Sequence, residues 1–304
     1  MTKKQSNSIH ILKFITPLFL LSILCSAVFG QNSAKELQNR ITDEFKKHKG
    51  YYAVAFSDPA SGKQVFFNER ETFHAASTMK TPVMIEVFKQ ANSGKFSLTD
   101  SIILKNEFKS IVDGSLFHLD SLVDSEYVLY KRIGKKMAIQ DLVYEMITVS
   151  SNFATNILID LVGAKNVTQS MRKLGAKDIN VLRGVEDTKA FEKGLNNTTT
   201  AYDLMLIFKK IALGQVVSKK ASDAMIKILL DQKFNTVLPA KLPADVKVAH
   251  KTGAFGKVRH DSGIVYLPNG RSYFVVIMSR DWEDEKETLE LLSGVSRMIY
   301  DAVK

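Results

Sequence analysis

Ser77 and Lys80 stand three residues apart where an apolar run with helical spacing begins, Met79, Val83 and Val87 with Met84 and Phe88 marking one face. Residues at i and i+3 of a helix share a face, so the Ser77 hydroxyl is expected beside the Lys80 amine. A helix start also presents unpaired backbone N–H groups and a positive dipole end, which favour developing negative charge. A serine becomes a competent nucleophile when a neighbouring base takes its proton. Lysine can be that base once burial leaves it neutral. The same spacing equally fits an N-cap serine with a surface lysine. Ser170-Met171-Arg172-Lys173 repeats it inside a charged amphipathic segment, expected to be a solvated helix face.

Two further stretches carry related chemistry. Ser150-Ser151-Asn152 lies between two helical pieces, where a second hydroxyl could pass a proton to a leaving nitrogen. The Asn152 amide could hold a substrate amide through both its ends, although Ser and Asn are also ordinary turn and cap residues. His250-Lys251-Thr252-Gly253-Ala254 ends an expected strand. There Lys251 and Thr252 could hold a substrate carboxylate, and Gly253 would let a ligand approach the backbone. The Ala254 N–H could join that of Ser77 in holding an oxyanion, and a Thr-Gly turn at a strand end is the plain alternative.

These residues need a scaffold. The chain has 304 residues, 45% hydrophobic and 24% charged, enough for a sizeable core. Residues 34–48 alternate at helical spacing. Tyr51 to Ser57 and Gln64 to Asn68 read as a hairpin about an Asp58–Gly62 turn. From Ser77 to about Leu230 the signals are mostly helical, with apolar pieces at Leu142 to Ile147, Ala154 to Leu161 and Tyr202 to Leu213. Beyond Pro243 the runs Val246 to Lys251, Gly263 to Leu267 and Tyr273 to Met278 are β-rich, with a tight turn at Pro268-Asn269-Gly270, and 284–304 closes as an amphipathic helix. One antiparallel sheet built from both termini, with helices inserted between, follows from this order.

Residues 1–30 read as an export signal: Lys3, Lys4 and Lys13 flank the apolar run Phe14 to Phe29, with cleavage before Gln31. Cleavage would remove Cys25, the one cysteine, and three lysines, lowering the net charge from +10 to +7. That excludes disulfides, thiolate metal sites and cysteine nucleophiles from the mature chain. The charge is spread, with no nucleic-acid motif. The six histidines show no i, i+4 ligand pair, so neither a metal nor any other cofactor is expected.

In this order Ser-x-x-Lys, Ser-x-Asn and Lys-Thr-Gly resemble the class A β-lactamases and the related penicillin-binding peptidases, over roughly Ala34 to Lys304. The resemblance implies an α/β, β-lactamase-like fold: residues 31–76 and 231–304 form an α/β domain and 77–230 an inserted all-helical domain, with a cleft between. It implies Ser77 as nucleophile, Lys80 as its partner, Ser150 as proton shuttle, and Asn152, Lys251, Thr252, Gly253 and Ala254 as substrate contacts. The family's deacylating glutamate sits in Glu-x-x-Leu-Asn. Glu192 to Asn196 matches that string but lies close to Thr198, whereas Glu186, soon after Arg183, lies nearer the expected distance and is taken as catalytic. Ser151 replaces the family's usual aspartate and Ala254 a frequent Ser or Thr; for the arginine of the next strand, Ser262 aligns best with Arg259 nearby. His260-Asp261, in a strand connection, reads as a structural turn, with a pair at the edge of the site as the alternative. The expected activity is lactam hydrolysis through a Ser77 acyl-enzyme by an exported monomer, periplasmic or secreted, acting on a small lactam or cell-wall peptide with neither nucleic acid nor membrane as partner. The alternatives are a D-Ala-D-Ala peptidase and a lactam-binding sensor.

Overall fold

The computed structural model describes residues 33–304; the expected export signal, with Cys25, lies outside them. Helix α1 (33–45) buries Leu37, Ile41 and Phe45, spaced four apart on one stripe. Strands β1 (Tyr51–Ser57) and β2 (Gln64–Phe67) follow as a hairpin. Asp58 shapes its turn, accepting from the Ala60 N–H at 3.0 Å and the Ser61 hydroxyl at 2.5 Å. Strand β3 (Phe73–His74) leads into a 3₁₀ turn, Ala76–Met79, and then α2 (Lys80–Asn92). Almost every side chain of α2 from Lys80 to Phe88 is buried, as expected of a helix surrounded by others.

The next stretch departs from its helical expectation. β4 (Ser101–Ile103) pairs with β7 (Lys136–Ala138), and β5 (Phe108–Lys109) with β6 (Leu116–Phe117); a 3₁₀ helix, Val128–Arg132, lies between the ribbons. Gly94, Gly114 and Gly134 at positive φ break this segment into pieces too short for α-helix. Helices then resume as α3 (Ile139–Thr148), α4 (Asn152–Val162), α5 (Ala164–Lys173) and the short α6 (Thr188–Glu192). β8 (Thr198–Thr199) pairs with β3, and α7 (Ala201–Ala212) and α8 (Lys219–Leu230) complete the helical run. The chain ends with β9 (Lys247–Phe255), β10 (Val258–Tyr266), β11 (Ser272–Arg280) and α9 (Glu285–Val303).

The five-stranded antiparallel sheet runs β2-β1-β11-β10-β9, so the first strand lies beside the last. Strand alternation divides its apolar residues between two cores. Tyr52, Val54, Phe56, Val265, Val275 and Ile277 join α1 and α9. Ala53, Ala55, Ile264, Phe274, Val276 and Met278 join α2–α5, α7 and α8. Each fully buried aliphatic side chain contributes roughly 1.5–3 kcal/mol, so both faces bind the sheet strongly. Within the second core Ser170 corrects its solvated-face expectation. It is buried, its hydroxyl donates to Glu86, and Lys89 Nζ donates to it at 2.7 Å. One carboxylate and one lysine, both from α2, satisfy the buried hydroxyl. Among the described residues no helix is long and apolar enough to cross a membrane.

Candidate active site

Ser77 lies in the 3₁₀ turn just before α2, after Ala76 at a left-handed φ of 44°. β9 runs against this turn: a Cβ on Gly253 would come within 3.0 Å of Thr78 Cγ2 and 3.2 Å of its backbone N, so a side chain there would press on the turn. Ser77 faces a cleft of two joined halves. One, about 390 Å³, is lined by Ser150, Thr252, Gly253 and Arg259. The other, about 530 Å³, is lined by Glu186, Val185, Phe191 and Phe255. Ser77, Val123, Asn152 and Ala254 line both.

The expected Ser77–Lys80 contact gives way to a different arrangement. Lys80, fully buried on α2, donates to Ser150 O at 2.6 Å, Ser150 Oγ at 3.1 Å and Asn152 Oδ1 at 2.9 Å. Side chains three apart in a 3₁₀ turn stack one above the other, yet the Lys80 amine is drawn to the Ser150–Asn152 segment instead. Burial lowers the Lys80 ammonium to about 7, against the opposing pull of the Asp124 and Glu186 carboxylates. Lys251, also fully buried, donates to the same Ser150 Oγ at 3.0 Å and to Thr252 O at 2.9 Å. Burial, and then the nearby Lys80 charge, drive it well below an ordinary lysine. A serine oxygen has two lone pairs. When both lysines donate to it, these lone pairs are used and the Ser150 proton is left for a third partner; Ser150 lines the cleft. Ser150 itself holds φ 58°, a strained geometry fixed by the Lys80 bond to its carbonyl.

Glu186, also at positive φ (62°), accepts from Asn152 Nδ2 at 2.7 Å. Burial raises its carboxyl, while the Asn152 bond works against that. Asn152 therefore joins Lys80 through one end of its amide and Glu186 through the other. The loop carrying Glu186 is fixed at several points. Arg183 donates to Leu195 O (2.9 Å), Gly184 O (3.0 Å) and Asn196 Oδ1 (3.1 Å). Asn156 holds the Val185 backbone on both sides, accepting at 2.7 Å and donating at 3.0 Å. Asp187 caps α6 and accepts from Ser110 Oγ and the Ile111 N–H, both at 2.9 Å. Glu192, the residue of the matching string, ends α6 on the exposed surface.

Asp124 escaped the sequence reading. Its carboxylate accepts from the Asn152 and Phe153 N–H groups at 3.0 and 2.9 Å, which begin α4, and from the Tyr130 hydroxyl at 2.9 Å. It sits in a segment without periodicity, 28 residues before its partner, so no local signal marks it. Ser151, standing in the family's usual aspartate position, is the N-cap of α4 and accepts from the Ala154 N–H at 3.2 Å.

His260 and Asp261 correct the turn expectation. The β9–β10 turn is Gly256-Lys257, so β9 continues beyond Gly253 and both residues lie inside β10. His260 is buried against His74 O at 3.0 Å, and burial lowers it to about 4. Asp261 pairs with buried His250 at 2.9 Å and accepts from the Leu238 N–H at 3.0 Å. Ser262 is buried, donating to Lys251 O at 3.1 Å, and does not line the cleft. Among the described residues no cluster of His, Cys, Asp or Glu is arranged to hold a metal ion.

The chain and its fold have relatives among known proteins. A β-lactamase from Bacteroides uniformis is 25% identical over 96% of this chain and 99% of its own. The structure of PBP-A superposes with a TM-score of 0.76 at 28% identity, covering 88% of this chain and 96% of that one. A PBP-A mutant, solved as an acyl-enzyme with penicillin G, superposes at 0.74 and 27% identity over 90% and 96%. The model of the beta-lactamase enzyme family matches residues 35–303, nearly everything from α1 to the end of α9, and the chain belongs to that family.

Proposed function

We propose that the protein is a serine β-lactamase of class A type, acting through a Ser77 acyl-enzyme. The observation that carries this reading is the buried Lys80 amine, lowered to about 7 and bonded to Ser150 and Asn152 beside the serine turn. Near neutral pH a sizeable fraction of Lys80 is unprotonated and free to accept a proton. Ser77 Oγ attacks the lactam carbonyl as its proton passes to Lys80, directly or through water. The Ser77 and Ala254 N–H groups stabilise the oxyanion. Ser150 gives its proton to the lactam nitrogen and recovers one from Lys80, 3.1 Å away. Glu186 then activates the water that cleaves the ester. The leaving nitrogen accordingly lies in the half lined by Ser150 and the acyl side in the half lined by Glu186. The export signal expected over 1–30 would put this chemistry outside the cytoplasm.

A peptidase acting on cell-wall peptides is the second reading. It is favoured by the absence of Glu-x-x-Leu-Asn around Glu186 and by the 28% identity to PBP-A. Purified protein mixed with a chromogenic cephalosporin, with intact mass followed in parallel, separates the two. Sustained turnover that Ser77→Ala abolishes supports the lactamase. A persistent adduct on Ser77 supports the peptidase, and no reaction overturns both.

A further inference from the structure

Arg259 shares a wall of the smaller cleft half with Thr252, Ala254 and Glu285. It is the register partner of Ala254 across β9 and β10. The alternation that sends Val248 and Val265 into the α1–α9 core puts Thr252, Ala254 and Arg259 on that same sheet face. A guanidinium here is within the half of the cleft that takes the leaving-nitrogen side of a substrate.

Its donors are already engaged. Arg259 Nε and NH2 meet Glu285 Oε1 at 2.8 and 2.6 Å. NH1 donates to Gly256 O at 3.0 Å and Val258 O at 2.7 Å. The guanidinium carbon lies 5.2 Å from the centre of the Trp282 ring, which fixes its plane from a third side. Glu285 is the first residue of α9, so the helix sets where its carboxylate stands, in a first turn that favours negative charge. The Glu285 side chain is 50% exposed and that of Arg259 19%, so the carboxylate is the outer member of the pair.

We propose that Glu285 is a specificity-determining residue that withholds Arg259 from the substrate, leaving a carboxylate on the leaving-nitrogen side to Lys251 and Thr252 alone. The inference rests on the acyl-transfer reading above and specifies its substrates. Ala254 offers no side-chain hydroxyl and Arg259 no free fork, so the site discriminates weakly between a lactam acid and its neutral ester. Releasing Arg259 restores a bidentate partner for the acid.

The test compares a penicillin with its methyl ester, reading kcat/KM for acylation in the wild-type protein, Glu285→Gln, Arg259→Gln and the double variant. Glu285→Gln should raise the acid-to-ester ratio about five- to thirtyfold, the range of a charge-assisted contact at a partly exposed site. Arg259→Gln alone leaves the Glu285 carboxylate unpaired and should lower the ratio, whereas the double variant should return it to the wild-type value. Glu285→Asp, whose shorter arm loosens the pair, should move the ratio in the same direction by less. An unchanged ratio in both Glu285 variants overturns the inference and leaves the acyl-transfer reading standing. So does a tenfold fall in the double variant, where no Glu285 charge is left to repel the acid, because Arg259 would then already serve the substrate. A wild-type protein that acylates with neither compound overturns the acyl-transfer reading and this inference together.

Discussion

Glu186 reaches the cleft at a left-handed φ of 62°, with its carboxylate on Asn152 Nδ2 at 2.7 Å. Glu186→Gln keeps a hydrogen-bonding side chain of the same shape but removes the base. Acylation should proceed at a near-normal rate, and deacylation should slow by ~10²–10⁴-fold, so that adduct accumulates in the mass spectrum. Glu192→Gln should leave both steps unchanged. Because burial raises the Glu186 carboxyl, deacylation should fail on the acid side at a higher pH than an ordinary glutamate would give. Acylation should show its own acid limb near pH 7, where Lys80 is protonated and can no longer accept. Asp124 holds that proton on Lys80 by charge, so Asp124→Asn should move the limb down by about one unit. Stopped-flow acylation across pH measures it; an unmoved limb means that Asp124 only caps α4. That Ser77, Lys80, Ser150 and Lys251 gather at one cleft was expected from their types and local spacing, in two turns and one strand. Asp124 was not, because its role is a long-range contact that no spacing encodes.

The loop from Arg183 to Asn197 is held by side chains rather than by secondary structure. Asn197 Oδ1 accepts from the Leu182 and Arg183 N–H groups at 2.8 and 3.2 Å, and its Nδ2 returns a bond to Arg183 O at 3.0 Å. Gly184 allows the loop to lie on α4, since a Cβ there would fall on Asn156 Oδ1. Gly184→Ala should therefore destabilise the protein by roughly 1–3 kcal/mol and slow deacylation more than acylation, because the displaced Asn156 releases Val185 next to Glu186. Thermal melts read with single-turnover kinetics check both parts; equal slowing of the two steps would tie the loop to the whole cleft. Such a loop defeats a reading by local string: Glu192-Lys193-Gly194-Leu195-Asn196 has the family's letters, yet Arg183 and Asn197 fold it so that Glu186 points inward. The β9–β10 hairpin was misread for a related reason. Gly253 looked like the end of a strand, but it serves the approach to Thr78, and Gly256 makes the turn.

The main elements of the fold were legible because periodicities of 2 and 3.6 repeat over long stretches at both ends of the chain. The ribbons between 93 and 138 were not, since strands of two or three residues carry too little pattern to register. One sheet feeds two cores, so neither core survives loss of the other's strands. The single tryptophan, Trp282, is buried at the junction of β11 and α9 and reports on that junction. Far-ultraviolet circular dichroism is dominated by the helices. The two signals should give coincident thermal midpoints, as a cooperative transition requires. Separated midpoints would mean that the helical part melts as its own unit.

The pairing of Tyr51 with Arg280 sets an order on synthesis. β1 has β2 beside it from the start, but its other edge stays bare until β11, more than 200 residues later, has left the ribosome. Closing so long a loop is slow, and an unpaired β1–β2 hairpin is only marginally stable in water. The nascent chain therefore remains without its sheet until nearly its last helix is made, a state in which a holding chaperone can still bind it. Completion of β11 commits the whole chain at once.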